Sequence, residues 1–306
     1  MRHNRCGIII VSWNVAQLLE RCLNSVFEHC RDVDFKIVVV DNCSSDQSVA
    51  SAKRIQRANP KGRLSIIANA SNRGFASAVM TGYERLVKDR RGSDPVLLLN
   101  PDVELHADVL PSLLGRFHQS DRVAIIGPTL FDEQGMIQRS VMRLPTVTST
   151  ILLALKLHHV FPWLPAVRRY FAMDHDYTQP SLVEQVQGAF FLVRPECWRE
   201  LEGLDPHYFI WYEEVDFCKR ALDAGWEVLY QPTAGIVHHG GKSFEQAARS
   251  DKQAYFYQSA MYYIAKHKGF LGWFLLWCMK PLSSAINLFA RFFRSPRKLW
   301  VISSSL

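Results

Sequence analysis

Several common sequence signatures are missing from this chain of 306 residues. Its seven cysteines are scattered through apolar runs without a CxxC pair, which favours reduced, buried thiols in a cytosolic protein. No GxGxxG follows the first apolar run, and no GxxxxGK(S/T) occurs anywhere. A dinucleotide-binding Rossmann domain and a P-loop NTPase therefore both lose their main support.

A long hydrophobic run is absent as well. The basic start of the chain, residues 1–5, leads into an apolar run that stops at Ser12, which is too short for a secretory signal peptide. Near the other end, the uninterrupted apolar stretch before Lys280 is only about ten residues long, against the ~20 that a membrane-spanning helix needs. We therefore expect neither a signal peptide nor a transmembrane helix.

The composition is that of a globular protein with a full core, since 48% of the residues are hydrophobic. The length suits one large α/β domain, or a domain with an appendage. The formal net charge is +7, which suits phosphate-bearing substrates or an anionic membrane surface and does not by itself indicate nucleic acid.

The stretch Pro95–Val103 is the one around which the other motifs are arranged. Four apolar residues in a row predict a short strand that is buried on both faces, and the strand ends on Asn100-Pro101-Asp102. Ligands of open α/β sheets bind outside the carboxyl ends of the strands, so Asp102 is well placed to hold a divalent cation. The alternative is that Asp102 merely precedes and caps a helix.

Three earlier apolar runs also predict strands, and polar residues follow each of them. Asn14 follows the first run, Asp41 ends the second, and Arg73 comes soon after the third, residues 64–68. Because helical patterns separate these runs, we predict a doubly wound, mainly parallel sheet. An acid for a base or ribose, an arginine for phosphate and an acid for metal make a nucleoside diphosphate site.

A second informative block lies in the later half of the chain. Gly188 interrupts a predicted strand, residues 186–194, where a ligand could approach the backbone. An aromatic segment then leads into three carboxylates, of which Glu213 and Asp216 share one face of a predicted helix, while Glu214 points elsewhere. Arg220 could pair with one of these carboxylates. His238 ends a later strand beside glycines and is a candidate metal ligand.

The C-terminal segment has a different character. Residues 269–293 are rich in aromatic side chains and are flanked by lysines and arginines. This pattern is typical of helices that lie in a membrane surface. The alternative is that the segment packs on the preceding domain.

Together these motifs resemble the family 2 glycosyltransferases of GT-A fold, across roughly residues 6–243. Within that family the chain is most similar to bacterial rhamnosyltransferases of cell-surface polysaccharide biosynthesis. The motifs that carry the resemblance are Ser12-Trp13-Asn14, Asp41 to Asp46, Asn72 to Ala76, Asn100-Pro101-Asp102, Gly188-Ala189-Phe190, Tyr212 to Asp216 and His238 to Gly241.

The resemblance implies an inverting sugar transfer from a nucleoside diphosphate sugar, with Glu214 as the catalytic base and Mg²⁺ or Mn²⁺ held by Asp102 and His238. It implies nucleotide and donor contacts from Ser12, Asn14, Asp41, Asn72, Arg73 and Asn100. It implies acceptor contacts from Gly188, Trp211, Tyr212 and Glu213. Two departures matter: the DxD motif of the family reads Asn100-Pro101-Asp102 here, and the base is Glu where many relatives have Asp.

The same resemblance implies an organisation and a set of partners. We expect a GT-A domain over residues 1–244, with a nucleotide-sugar half (1–130) and an acceptor half (131–244), followed by a helical, membrane-associating tail (245–306). The expected donor is a dTDP- or UDP-sugar, with rhamnose as one candidate sugar, and the expected acceptor is a glycan or lipid-linked glycan. The protein would then lie on the cytoplasmic face of the cell membrane and bind no nucleic acid.

Two other classes compete with this interpretation. A non-catalytic nucleotide-sugar or polysaccharide-binding module is favoured by the altered DxD motif, although the joint retention of Asp102, Glu214 and His238 argues against it. A nucleotidyltransferase would also combine a nucleotide with a metal, but it would usually carry a glycine- and arginine-rich loop after the first strand, where this chain has Ser12-Trp13-Asn14.

Overall fold

The computed structural model describes residues 4–240 and 249–283. The strands are β1 (Arg5–Ser12), β2 (Asp34–Asp41), β3 (Leu64–Ala68), β4 (Val96–Leu99), β5 (Val103–Leu105), β6 (Val123–Pro128), β7 (Leu130–Phe131), β8 (Ile137–Gln138), β9 (Val141–Met142), β10 (Ser181–Val183), β11 (Gln185–Val186), β12 (Phe190–Val193), β13 (Glu227–Gln231) and β14 (Ile236–His238).

The described helices alternate with the strands in the first half and dominate the end of the chain. They are α1 (Ala16–His29), α2 (Ser48–Ala58), α3 (Phe75–Lys88), α4 (Leu110–Gln119), α5 (Val147–Ala154), α6 (Leu157–Val160), α7 (Pro165–Tyr170), α8 (Pro195–Glu200), α9 (Glu213–Asp223) and α10 (Arg249–Cys278).

The first strand shows why the large sheet is buried on both faces. Ile9 and Val11 contribute to one hydrophobic core, while Ile8 and Ile10 contribute to the core on the opposite face. Side chains alternate between the two faces of a strand, so a continuous β-branched run fills both cores at once. Helices therefore have to cover both faces of this sheet.

The large sheet has eight strands in the order β10-β13-β6-β12-β4-β1-β2-β3. The neighbours β3, β2, β1 and β4 are parallel, as are β6 and β13, whereas β12 runs antiparallel to both β4 and β6. The prediction of a mainly parallel α/β sheet is therefore confirmed. Two smaller sheets, β5-β14-β7-β8 and β11-β9, lie beyond it.

The structure divides two apolar segments, of which residues 186–194 were predicted as a single strand. Residues 123–131 form β6 and β7, and residues 186–194 contribute to β11 and β12 with Gln187–Ala189 between them. In each case the first part joins one sheet and the second part another. The apolar run alone could not reveal this, because both parts are buried.

The helix α10 belongs to the main core along its first half. Phe256, Ala260, Tyr263 and Ile264 are buried in the same hydrophobic cluster as the sheet. The helix bends at Gly269, whose φ is 76°. This half of α10 therefore packs on the domain, and the division of the chain into a domain and a tail stays a prediction.

Beyond the bend, α10 exposes large apolar side chains. Phe270 is 75% exposed, Phe274 is 42% exposed and Trp277 is 51% exposed. Within the described ranges, no helix is both long and apolar enough to cross a bilayer. The rest of the predicted tail, residues 284–306, lies outside the described residues, as do residues 241–248.

Candidate active site

A cleft opens at the edge of the large sheet where β1, β2 and β4 end. The residues before α3 and before β12, the start of α9 and the end of β14 complete its walls. This is the edge at which open α/β sheets bind ligands. Eight of the thirteen residues predicted from the sequence line it: Asn72, Asn100, Asp102, Gly188, Trp211, Glu213, Glu214 and His238.

Asp102 and His238 form a buried pair in one wall. Because β5 pairs with β14 so that Val103 lies opposite His238, Asp102 Oδ1 comes within 3.5 Å of His238 Nε2. Burial alone would raise the pKa of Asp102, but His238 outweighs burial and lowers it below its ordinary value. Asp102 Oδ1 nevertheless has no hydrogen-bond partner among the described residues.

Gln138 fixes the orientation of the His238 ring. Gln138 Nε2 donates to the backbone oxygen of His238 at 2.7 Å, and Gln138 Oε1 lies 2.8 Å from His238 Nδ1. Since the amide oxygen can only accept, Nδ1 must carry the proton. The lone pair of a neutral His238 is therefore on Nε2, the atom that approaches Asp102 Oδ1.

With a neutral His238, two acceptor atoms, an ionised carboxylate oxygen and an imidazole lone pair, would face each other in a buried wall. A proton on Nε2 or a cation shared by both atoms would satisfy them. Within residues 4–240 and 249–283, no group of three or more His, Cys, Asp or Glu side chains is arranged to hold a metal ion. Asp102 and His238 fit a divalent cation as two of its ligands, and a bound diphosphate or water would have to complete the shell.

An acidic pair forms the other wall. Glu213 and Glu214 lie in the first turn of α9 and both line the cleft. The two residues before them, Trp211 and Tyr212, adopt left-handed backbone conformations with φ of 62° and 70°. Such conformations cost non-glycine residues about 1–3 kcal/mol each and persist where the surrounding structure imposes them.

The loop before α9 is held from two sides. The backbone oxygen of Phe209 accepts from Phe75 N at 2.6 Å, and that of Ile210 accepts from Ser259 Oγ at 2.8 Å. The ring of Phe209 also stacks on Tyr255, with the ring centroids 4.6 Å apart. The helices α3 and α10 therefore fix the direction from which the acidic pair enters the cleft.

Both carboxyl groups of the acidic pair have raised pKa values. For Glu213 the causes are burial and the neighbouring charge of Glu214. Burial also raises the pKa of Glu214, while the backbone amides of Glu214, Val215 and Gly188 counter part of that rise. Among the described residues, Oε2 of each glutamate lacks a hydrogen-bond partner. The pair can therefore take up a proton in the cleft.

The third carboxylate of the cluster is not in the cleft. Asp216 is fully buried beneath α9, where it accepts from Arg220 Nε at 2.7 Å and faces Lys266 and His267 of α10. From the sequence, Arg220 could hold either Glu213 or Asp216. The structure shows the pairing with Asp216, which reaches inward to Arg220, while Glu213, at the very start of the helix, borders the cleft beside Glu214.

Two residues that were predicted to bind the nucleotide-sugar donor, Asp41 and Asn14, shape a loop next to the cleft. Asp41 Oδ1 accepts from Ser44 Oγ at 2.6 Å and Oδ2 accepts from Ser44 N at 2.8 Å. Asn14, whose φ is 53°, accepts from Ser45 N at 2.7 Å. These bonds tie the ends of β1 and β2 together, and a contact of either residue with a nucleotide stays a prediction.

Three other predicted residues do not line the cleft. Ser12 is fully buried at the end of β1 and Arg73 is exposed. Tyr212 packs in the core against Phe256 and Tyr263, with ring centroids 5.8 and 5.3 Å apart. The donor roles of Ser12 and Arg73 and the acceptor role of Tyr212 stay predictions without support from these positions.

Several residues in the cleft or next to it were not predicted from the sequence. Asn42 donates to the backbone oxygen of Gly74 at 3.0 Å, and a Cβ at Gly74 would lie 2.5 Å from Phe209 O, so only glycine fits there. Asn42 directly follows Asp41 and could have been suspected. Gln138 could not, since 100 residues separate it from His238.

Comparison with known proteins defines the class. The sequence profile described as Glycosyl transferase family 2 matches residues 7–175, more than half of the chain. The chain therefore belongs to glycosyl transferase family 2, and the resemblance inferred from its motifs is confirmed.

Individual members of the family are similar to this chain over most of its length. The chain is 25% identical over 288 residues to N-acetylglucosaminyl-diphospho-decaprenol L-rhamnosyltransferase of Mycobacterium tuberculosis, covering 89% of this chain and 88% of the relative. It is 24% identical over 242 residues to rhamnosyltransferase WbbL of Escherichia coli, covering 78% and 85%. Its relatives thus include bacterial rhamnosyltransferases, as the motifs indicated.

A solved structure supports the fold. Mannosyltransferase PcManGT from Pyrobaculum calidifontis, in complex with GDP-Man and Mn²⁺, superposes with a TM-score of 0.54 at 13% identity, covering 95% of this chain and 81% of that one. The fold is of the GT-A type, as predicted.

Proposed function

We propose that this family 2 glycosyltransferase moves a sugar, with inversion at the anomeric carbon, from a nucleoside diphosphate sugar to a hydroxyl of a lipid-linked glycan. We further propose rhamnose, carried by dTDP, as the donor sugar. The observation that carries the proposal is one cleft with a buried Asp102–His238 pair in one wall and the acidic pair Glu213–Glu214 in the other. The names of the rhamnosyltransferase relatives support the donor and acceptor.

The donor would lie along the ends of β1, β2 and β4. Asn72 and Asn100 line the cleft there, and the loop tied by Asp41 and Asn14 borders it. We propose that these residues, with the exposed Arg73, contact the nucleotide and its diphosphate. A UDP-sugar would use the same contacts, so the base and the sugar must be found by assay.

Asp102 and His238 would hold Mg²⁺ or Mn²⁺. The fit rests on the partnerless Asp102 Oδ1 and on the Nε2 lone pair that Gln138 directs toward it. A bound divalent cation would offset the negative charge that develops on the departing diphosphate. Because Asn100 replaces one carboxylate of the usual motif, the protein offers few ligands of its own, and we expect metal to bind tightly only together with the donor.

Glu214 would act as the general base. Its carboxylate packs against Gly188, where a Cβ would lie 3.5 Å from Glu214 Cγ. The base removes the proton of the acceptor hydroxyl as that oxygen bonds to the anomeric carbon. The bond from this carbon to the diphosphate breaks on the opposite side, and its electron pair leaves with the diphosphate. Such proton transfer contributes about 10² to 10⁴ in rate.

The acceptor would approach past Trp211 and Glu213, which line the cleft beside Glu214. The exposed aromatic row Phe270, Phe274 and Trp277, whose rings stack at 6.1 Å spacing, suits an interfacial helix. We propose that it places the protein on the cytoplasmic face of the membrane, where a lipid-linked acceptor would be reached.

The experiment is a transfer assay with purified full-length protein. A panel of dTDP- and UDP-sugars is incubated with Mg²⁺ or Mn²⁺ and an N-acetylglucosaminyl-diphospho-lipid, and both released nucleoside diphosphate and product are measured. We expect acceptor-dependent release with dTDP-rhamnose and a product of inverted anomeric configuration by NMR, with Glu214→Gln as the inactive control. Failure of the whole panel, or a retained configuration, would overturn the proposal.

A further inference from the structure

A second cavity lies outside the cleft and is lined by three arginines. Arg143, Arg168 and Arg169 surround it together with Met173 and Asp174. Arg143 follows β9, and the other two occupy the last turn of α7. Guanidinium groups recognise phosphate oxygens through paired hydrogen bonds, so the chemistry of this cavity is that of a phosphate site.

The arginines are only loosely neutralised. Glu184 Oε1 lies 3.4 Å from Arg143 Nη1 and 3.3 Å from Arg169 Nη2, longer than the ~2.7–2.9 Å of a strong charge-assisted bond. Both arginines are about half exposed, 43% and 55%, and exposed pairs of this kind contribute little. No carboxylate among the described residues pairs with the exposed Arg168. An anion can therefore bind without breaking a strong contact.

The cavity adjoins the acceptor side of the cleft. Met142 lines the cleft and Arg143 is the next residue. Arg143 N donates to the backbone oxygen of Tyr170 at 2.9 Å, and Tyr170 is itself buried. Burial and the charge of Glu214 raise the pKa of the Tyr170 phenol, while the backbone of the same residue contacts Arg143.

An exposed apolar segment, the Val160–Trp163 loop, comes just before the helix that carries Arg168 and Arg169. Val160 is 58% exposed, Phe161 39% and Trp163 64%, and α7 begins two residues after Trp163. A lipid diphosphate consists of a hydrocarbon chain joined directly to an anionic head. The apolar loop is complementary to the hydrocarbon chain, and the arginines of the cavity are complementary to the anionic head.

We propose that Arg143, Arg168 and Arg169 bind the diphosphate of a lipid-linked acceptor, with its hydrocarbon chain along the Val160–Trp163 loop and its sugar toward Glu214. This inference rests on the proposed function and adds a subsite to it. Phospholipid phosphates of the bilayer share the same chemistry and are separated from the acceptor diphosphate by the experiment.

The test compares two acceptors with the same sugar, one joined to a short prenyl chain through diphosphate and one joined directly to an alkyl chain. In detergent micelles, Arg168→Gln should raise KM for the diphosphate acceptor about five- to tenfold. Its kcat, its donor KM and its KM for the alkyl glycoside should stay within twofold of the unsubstituted protein. Arg168→Lys should recover part of the loss, because lysine keeps the charge without the fork.

The control is Arg122→Gln, an arginine that is 71% exposed, pairs with Glu227 at the start of β13 and does not line this cavity. It should change neither KM. An unchanged KM for the diphosphate acceptor in Arg168→Gln overturns the proposal, and so does an equal rise for both acceptors or a rise in donor KM.

Two further measurements distinguish the acceptor diphosphate from bilayer phosphates, and a failure of this proposal from a failure of the proposed function. Flotation with vesicles of phosphatidylcholine and phosphatidylglycerol should be the same for Arg168→Gln and the unsubstituted protein; lost flotation with an unchanged micellar KM would assign the arginines to bilayer phosphates and overturn the proposal. Calorimetry with farnesyl diphosphate in EDTA should show binding that Arg168→Gln weakens. That result without any sugar transfer would reject the proposed function and keep this site.

Discussion

His267 Nε2 lies 2.7 Å from Asp216 Oδ1 and so joins the C-terminal helix to the helix that carries the acidic pair. Lys266 Nζ lies 2.9 Å from the same oxygen, and Tyr208 Oη donates to it at 3.3 Å. Asp216 is fully buried. These contacts of one buried carboxylate with His267 and Lys266 hold α9 against α10.

Asp216→Asn should lower the free energy of unfolding by about 3 kcal/mol, because it leaves the partly buried Arg220 and Lys266 without their counter-charge. Burial opposes ionisation of Asp216, but the hydrogen bonds from His267 and Lys266 outweigh it and hold its pKa below the usual range. Its contribution is therefore present above the unfolded-state pKa of about 4 and is lost as the pH falls through the lower folded value.

Urea unfolding at pH 7 and at acid pH measures this effect. The difference between the unsubstituted protein and Asp216→Asn should shrink as the pH drops below about 4. His118→Ala, at an exposed position in α4, should change stability by less than about 0.5 kcal/mol, whereas His267→Ala should cost about 1–3 kcal/mol. If all variants had the same free energy of unfolding, the contacts of Asp216 would not contribute to the stability of the fold.

Asp102→Asn should keep the fold and abolish most metal-dependent turnover, because the amide oxygen carries no charge for a cation. Initial rates against Mn²⁺ concentration at saturating donor would show it, with circular dichroism to check folding. Asp108→Asn, an exposed aspartate between β5 and α4, is the matched control. Full activity of Asp102→Asn at the same metal requirement would remove Asp102 from the site.

Gln138→Leu should weaken metal binding about 10- to 100-fold, as expected when the group that orients a histidine ligand is removed. The leucine cannot accept from His238 Nδ1, so the ring loses its fixed tautomer. Titration of Mn²⁺ by electron paramagnetic resonance, with a nucleoside diphosphate present, measures the affinity. Gln134→Leu at an exposed position should leave it unchanged, and an equal effect of both substitutions would contradict the role of Gln138.

Glu214→Gln should lower kcat by about 10²- to 10⁴-fold while donor binding persists, since the amide cannot take a proton. Glu213→Gln should cost less. Because both pKa values are raised, activity should fall with decreasing pH already above the ordinary glutamate value of about 4.3. Burial, and not the charge of Glu213, raises the pKa of Glu214, so Glu213→Gln should leave this acidic limb in place.

The pH profile of kcat for both variants decides between the two carboxylates. A near-normal kcat in Glu214→Gln, with Glu213→Gln inactive and donor binding intact in both, would transfer the role of base to Glu213. A shift of the acidic limb to lower pH in Glu213→Gln would instead show that the charge of Glu213 raises the pKa of Glu214.

Replacing Phe274 and Trp277 together by serine should reduce binding to phosphatidylglycerol vesicles at least tenfold, because two exposed aromatic side chains no longer enter the lipid interface. Co-sedimentation at low and high salt measures this binding. Val87→Ser, at an apolar position that is 50% exposed on α3, should have no effect. A protein that ignores vesicles before and after the change would refute membrane attachment through α10.

The first half of the fold could be predicted from the sequence, because the apolar runs and the helical periodicity indicated the same order of strands and helices. The apolar runs that became β1 to β4 end on polar residues, and the helices between them show clear periodicity. The position of Asp102 in the cleft followed from that order alone, since parallel strands end at one edge.

The second half resisted prediction for physical reasons. Glu213 enters the cleft because Trp211 and Tyr212 take left-handed conformations, and no residue pattern announces such a conformation at aromatic positions. Gln138 meets His238 through strands only two and three residues long. The role of α10 in the core was hidden because its buried aromatics look the same as its exposed ones.

One reversed strand has a consequence for the groups that meet in the cleft. Since β12 runs against β4, its amino end lies where the carboxyl end of β4 lies, and Asn100 N donates to Ala189 O across that junction at 2.9 Å. Gly188, two residues before β12, directs its backbone amide at Glu214. The carboxyl end of β4 delivers Asp102 to the same edge of the sheet. A single change of strand direction thus brings the amide that contacts Glu214 and the carboxylate of Asp102 into one cleft.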